Sequence, residues 1–260
     1  MPFVATNSIE LYYEIHGSGY PVVFAHGSGG NHLSWWQQIP FFSQHYTCIT
    51  FDHRSFGLSK DSAEPRGREA FADDLKGLLD YLDLGRVALV AHSMGGRTAV
   101  GFTLRNPERV SCMVLSGSNG GSVNDESRGI WHENQEKASN LPRNIIRGLS
   151  QGFVEKHPYE TFLYREILRI NPRLPSNFLA VTPGYRGSTH DRLTATGVPI
   201  LYVVGDQDVL APRKTIEIAA SQIPMAQFLN VREAGHSVYY EQPELFNREV
   251  YRFLRECIQE

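Results

Sequence analysis

Three side chains that could together activate a hydroxyl stand far apart in this chain: Ser93, His236 and an aspartate at 206 or 208. A serine is a poor nucleophile until a base takes its proton, and a histidine base needs a carboxylate to hold its tautomer and orientation. Ser93 closes the apolar, β-branched run Val87-Ala88-Leu89-Val90-Ala91-His92 and is followed by Met94-Gly95-Gly96. Arg97–Leu104 then reads as a helix. This is strand, sharp turn and helix with a hydroxyl at the apex. It matches the G-x-S-x-G elbow except that Ala91 takes the place of the first glycine. Such a turn lifts the hydroxyl above a sheet and directs the Met94 N–H, at a helix start, toward whatever the serine attacks.

Of the ten histidines, His236 alone combines a late position, a loop after a strand-like run (Gln227–Val231) and the neighbours Tyr239 and Tyr240. Gly205-Asp206-Gln207-Asp208 closes the apolar run Ile200–Val204, so both carboxylates compete for the third place. Asp52, in Phe51-Asp52-His53-Arg54, precedes the serine and is expected to be structural, with Arg54 as its partner. A second backbone donor for a developing oxyanion should come from His26-Gly27-Ser28-Gly29-Gly30, where glycines admit a substrate close to the backbone. Ser28 N–H is the first candidate and Gly27 N–H the second.

The elements that must hold these residues follow from periodicity. Ile9–Ile15 alternates as a half-exposed strand, while Pro21–Ala25, Thr47–Phe51, Val87–His92 and Val110–Leu115 are continuous apolar runs of the kind buried on both faces. Between them, 32–44 and 69–82 have helical character, the second with apolar residues at 3.6-residue spacing. Alternating strands and helices predict a parallel sheet with helices on both faces. The rhythm stops from Asn119 to Arg192 and resumes at Val198–Gly205. That stretch is too long for an ordinary connection and reads as an inserted helical lid, with its best helical patterns at Ile145–Leu149 and Tyr159–Ile170. Helices near Pro212–Gln222 and Pro243–Ile258 complete the chain.

The 260 residues are 41% hydrophobic and 20% charged with a formal net charge of −3, which fits a globular chain. No basic run points to nucleic acid or to an anionic membrane, and no apolar stretch is long enough to span a bilayer. Cys48, Cys112 and Cys257 are odd in number and widely spaced, as expected of reduced thiols in a cytoplasmic protein. The first residues lack a secretory signal pattern. No Cys/His/carboxylate cluster has zinc spacing, so neither a metal nor a cofactor is expected.

Taken together, these segments resemble the α/β-hydrolase superfamily, and within it the lidded, esterase-like serine hydrolases. The resemblance rests on the His26-Gly27 turn followed by Trp35, the loop Asp52-His53-Arg54-Ser55-Phe56-Gly57-Leu58-Ser59, the Ser93 elbow and the pair Asp208 and His236. Ala91 and Ser55 stand where glycine is commoner. The resemblance implies a mostly parallel eight-stranded sheet with helices on both faces, a core domain of 1–118 and 193–260, and a lid of 119–192. It favours Asp208 over Asp206 as the acid, and Ser28 and Met94 as backbone donors to the oxyanion. The expected chemistry is hydrolysis of a small carboxylic ester or lactone through an acyl-enzyme. Gly27, Trp35, His92, Trp131, Phe153 and Phe162 are the expected pocket residues. Serine at 93 separates the chain from members with a carboxylate nucleophile, and Ser237 stands where carbon–carbon bond hydrolases often carry Trp. The rival readings are a C–C bond hydrolase, a cofactor-free perhydrolase or lyase, and a hydrolase-like small-molecule receptor.

Overall fold

The computed structural model describes residues 2–62, 66–142, 145–174, 178 and 189–258. Eight strands form one sheet: β1 (Phe3–Thr6), β2 (Ile9–His16), β3 (Pro21–Ala25), β4 (Thr47–Phe51), β5 (Val87–His92), β6 (Val110–Ser116), β7 (Ile200–Gly205) and β8 (Ala226–Val231). Their spatial order is β1-β2-β4-β3-β5-β6-β7-β8. The first two strands run antiparallel to their neighbours, and every pairing from β4 to β8 is parallel. β1 was not legible in the sequence. It joins β2 through Asn7 and Ser8, both with positive φ (48° and 65°), the backbone of a tight hairpin turn.

Ten helices accompany the sheet among the described residues: α1 (Ile39–Phe42), α2 (Phe71–Tyr81), α3 (Met94–Thr103), α4 (Asp125–Ser139), α5 (Gln151–Lys156), α6 (Pro158–Arg169), α7 (His190–Thr196), α8 (Arg213–Ser221), α9 (Val238–Glu241) and α10 (Pro243–Cys257). β5, β6 and β7 are buried along their whole length, because apolar side chains leave both faces of the sheet. On one face Leu89, Met113 and Tyr202 meet Leu75 of α2, Val100 of α3 and Ile216 of α8. On the other, Val90, Val114 and Val203 share a core with Trp35, Phe42 of α1, and Phe246 and Phe253 of α10. Residues one apart on a strand thus enter opposite cores, as the pleat requires.

The span 32–44 is two short pieces, a 3₁₀ turn at His32–Trp35 capped by Asn31, and α1. Pro40 stands in the first turn of α1, where its missing N–H costs nothing, but it cannot donate back to the turn before it, so one continuous helix from His32 is interrupted. Between β6 and β7 no strand occurs among the described residues. Ile145–Leu149 is turn and not helix, because Ser150 starts α5 by capping Phe153 N–H at 3.2 Å. α4 carries no helical signal in the sequence, because it buries only Ser127 and Ala138 and has no apolar stripe. α7 begins inside the expected lid, yet its Leu193 is fully buried in the main core. Among the described residues no helix is long and apolar enough to cross a membrane.

The loop after β4 corrects one pairing. Asp52 does not pair with Arg54. Its Oδ1 accepts the His32 backbone N–H (2.6 Å) and lies 2.9 Å from His32 Nδ1, while its Oδ2 accepts Leu58 N–H (2.8 Å). Arg54 is fully buried and forks onto Asp74 of α2, with Nε and Nη2 each 2.6 Å from a carboxylate oxygen. Ser55 sits at φ +63°, which explains why glycine suits this place, and its hydroxyl donates to Asp61 at 2.5 Å.

Candidate active site

Ser93, Asp208 and His236 follow the carboxyl ends of β5, β7 and the edge strand β8, three strands on one half of the sheet. Ser93 follows β5 with φ 49° and ψ −110°, a strained conformation outside both helix and strand. Its N–H donates to Ser116 O of β6 at 2.8 Å, and α3 starts at the next residue. Gly95 is required there, since a Cβ would lie 2.2 Å from Ala25 O of β3. Gly27, at the tip of β3, is required for the same reason: its Cβ would lie 2.6 Å from the His92 ring and 3.2 Å from Ser93 Cβ.

Asp208 follows β7 and His236 follows β8. His236 Nε2 lies 2.8 Å from Ser93 Oγ, and His236 Nδ1 lies 2.8 Å from Asp208 Oδ2. The other carboxylate oxygen, Oδ1, accepts the backbone N–H groups of Leu210 and Ala211, each at 2.8 Å. With Asp208 an acceptor throughout, the hydrogen-bond network assigns the proton of His236 to Nδ1 and leaves Nε2 to accept from the serine hydroxyl. Asp206, the rival carboxylate, is exposed, and it is Asp208 that takes the turn amides.

A cavity of about 980 Å³ opens over these atoms, lined by Ser93 and His236, by Ser28 and Met94, and by Trp131 of α4 and Tyr164 of α6 among others. His92 lines it, and Gly27 lines a small recess beside it. The remaining expected pocket residues do not. Trp35 is fully buried, packing on Phe24 and Tyr239. Phe153 points into the core and stacks on His157. Phe162 is 63% exposed on the outer side of α6.

Three further residues, Gly117, Ser237 and Glu241, bear on the site through contacts between distant segments, which no local sequence signal marks. Gly117 (φ +58°) follows β6, and a Cβ there would lie 3.0 Å from His236 Nδ1. Ser237 N–H donates to Gly148 O at 3.0 Å, and Ser237 Oγ lies 3.1 Å from the Tyr164 hydroxyl, so two inserted segments are tied beside His236. Glu241 accepts Ser150 Oγ–H (2.6 Å), Ser150 N–H (3.1 Å) and Gly235 N–H (2.9 Å), linking the α5 cap to the histidine loop. Burial raises the Glu241 pKa above its ordinary range. Burial also keeps three histidines near the elbow neutral: His26, lowered to about 4, and His53 and His92, both well below the ordinary value. His26 donates from Nδ1 to Gly27 O (2.8 Å) and accepts the His53 backbone N–H at Nε2 (2.9 Å), bracing the glycine loop.

The chain that carries this hydrogen-bonded line has counterparts among known proteins. Residues 20–243 match the family model described as alpha/beta hydrolase fold. The chain belongs to that family. Within it, a 2-hydroxymuconate semialdehyde hydrolase of Pseudomonas sp. (strain CF600) is 28% identical over 93% of this chain and 89% of its own. A thermophilic esterase from Thermogutta terrifontis superposes with a TM-score of 0.80 at 27% identity, over 99% of both chains. Est816, whose structure is described as that of an N-acyl homoserine lactone degrading enzyme, gives 0.75 at 26% identity over 97% of this chain and 100% of its own.

Proposed function

We propose that this hydrolase cleaves a small carboxylic ester or lactone through an acyl-enzyme formed on Ser93. The observation that carries the reading is the continuous line from Asp208 Oδ2 through His236 to Ser93 Oγ, 2.8 Å at each step, ending on a strained turn that faces a cavity. Ser93 Oγ attacks the carbonyl carbon while His236 Nε2 takes its proton. Asp208 keeps the other ring nitrogen protonated and stabilises the imidazolium. The oxyanion is received by the N–H groups of Met94, the first residue of α3, and Ser28, each donor worth about 3 kcal/mol in such chemistry. His236 returns the proton to the departing alcohol oxygen. Water, deprotonated by the same nitrogen, then releases the acid. An esterase and a lactone-degrading enzyme among the structural relatives support this substrate class.

The test is hydrolysis of p-nitrophenyl acetate at neutral pH by the wild type and by Ser93→Ala. Ser93→Ala is expected to fold normally and lose turnover to the background rate. Turnover at the wild-type rate in that variant overturns the assignment.

A further inference from the structure

The charge of the cavity is one-sided. Four arginines line it, Arg68, Arg97, Arg147 and Arg165, and among the described lining residues there is neither aspartate nor glutamate. The chain as a whole carries a formal net charge of −3, so this bias is local and not a reflection of composition. Each arginine reaches the cavity from a different element, Arg147 and Arg165 as exposed residues. Arg97 lies four residues after Ser93, one turn along α3 and on the same helical face, with its guanidinium resting on Gly121. Arg147 precedes Gly148, whose carbonyl accepts the Ser237 N–H next to His236. Arg165 follows Tyr164, whose hydroxyl meets Ser237 Oγ. Among the described residues Arg147 and Arg165 form neither an ion pair nor a hydrogen bond, whereas Arg169, on the same helix as Arg165, pairs with Glu166 at 2.5 Å.

From this we infer that the substrate bears, besides its ester or lactone carbonyl, an anionic oxyacid group that docks among these guanidinium groups. The inference rests on the serine-hydrolase reading and deepens it. Guanidinium groups offer planar forks that match carboxylate and phosphate oxygens, and a cleft lined by one sign of charge concentrates ligands of the other. The reacting carbonyl lies at the sheet end over Ser93, and the anionic group lies outward, toward α6 and the turn at Arg147.

The experiment compares mono-p-nitrophenyl glutarate, anionic at neutral pH, with p-nitrophenyl pentanoate, a neutral ester of equal acyl length. The expected kcat/KM ratio is at least about tenfold in favour of the half-ester at low salt, falling toward one as NaCl screens the cavity. The double variant Arg147→Gln/Arg165→Gln should lower that ratio severalfold, while Arg252→Gln, on exposed α10 surface, leaves it as it was. Competition by glutarate and by inorganic phosphate at matched ionic strength identifies the group as carboxylate or phosphate, and inhibition by neither counts against the inference. Turnover of the pentanoate with a salt-independent ratio of one or less overturns the anionic substrate and leaves the serine hydrolase standing. No turnover of either ester overturns the hydrolase reading itself.

Discussion

Gly117 tests the geometry around His236 more sharply than removal of any reactive group. Gly117→Ala would place a Cβ 3.0 Å from both Cε1 and Nδ1 of the imidazole. Ordinary carbon contacts begin near ~3.5 Å, so the ring must recede by about 0.5 Å. The ring cannot recede without stretching the 2.8 Å bond to Ser93 Oγ or the 2.8 Å bond to Asp208. A misplacement of about 1 Å costs roughly a hundredfold, so about half of that predicts a loss near tenfold in kcat. The left-handed backbone at φ +58° adds a stability cost of about 1–2 kcal/mol for any residue with a Cβ. That is a fall of roughly 2–8 °C in Tm for a chain of this size. Gly197→Ala is the matched control, with φ +68° and nothing within 4 Å of the added Cβ. Thermal unfolding and p-nitrophenyl acetate kinetics on both variants separate the two effects. Both should lose similar stability, and only Gly117→Ala should lose kcat. Equal kcat in Gly117→Ala and wild type, at the same fall in Tm, refutes the packing argument.

Three other outcomes follow from the same contacts. Asp208→Asn keeps an oxygen for the Leu210 and Ala211 amides but turns an N–H₂ toward His236, inverting the tautomer; kcat should fall about 10⁴-fold, or about 5.5 kcal/mol, and a loss below about a hundredfold would count against the assigned roles. His26 is neutral in the fold with a pKa of about 4 and protonates at the ordinary 6.5 when unfolded, so stability is complete above pH 6.5 and is lost as pH falls toward 4. His26 alone contributes about 3 kcal/mol to that loss, and His53 and His92 act in the same direction; urea midpoints that stay flat across this window would contradict it. Asp74→Ala strands the fully buried Arg54 guanidinium with Asp61 at 3.3 Å, and should cost about 3–5 kcal/mol by urea unfolding; a cost under about 1 kcal/mol would show that the pair is relieved by water or by movement.

What the sequence disclosed was whatever is written locally. The β5–Ser93–α3 elbow is contiguous, so residue order alone exposes it. The inner strands are legible because burial on both faces removes polar residues from them. Chain order and strand ends nominate His236 and leave Asp206 and Asp208 as rivals, and the family resemblance favours Asp208, the one that meets His236 in space. The illegible parts depend on contacts between distant segments. Gly117 looks like any strand-end glycine until the His236 ring is placed on it, and Glu241 looks like a surface acid until Ser150 and Gly235 surround it. The inserted segment was hardest. α4 is polar on nearly every face, and the turn at 145–149 is decided by the Ser150 cap and by Gly148 meeting Ser237. Whether an aromatic there lines the cavity depends on how its helix is rotated, which sent Phe153 inward and Phe162 outward. Trp35 packs into the core rather than the cavity because an apolar ring next to a functional loop fits equally well beneath it.

The most direct measurement is the site of acylation. The protein is mixed with p-nitrophenyl acetate, quenched in acid during turnover, digested and analysed by mass spectrometry. An acetyl group on the peptide at Ser93, absent from Ser93→Ala, is the result the account predicts. Wild-type turnover that proceeds with Ser93 unmodified, or with the acetyl group carried by another residue, would contradict it.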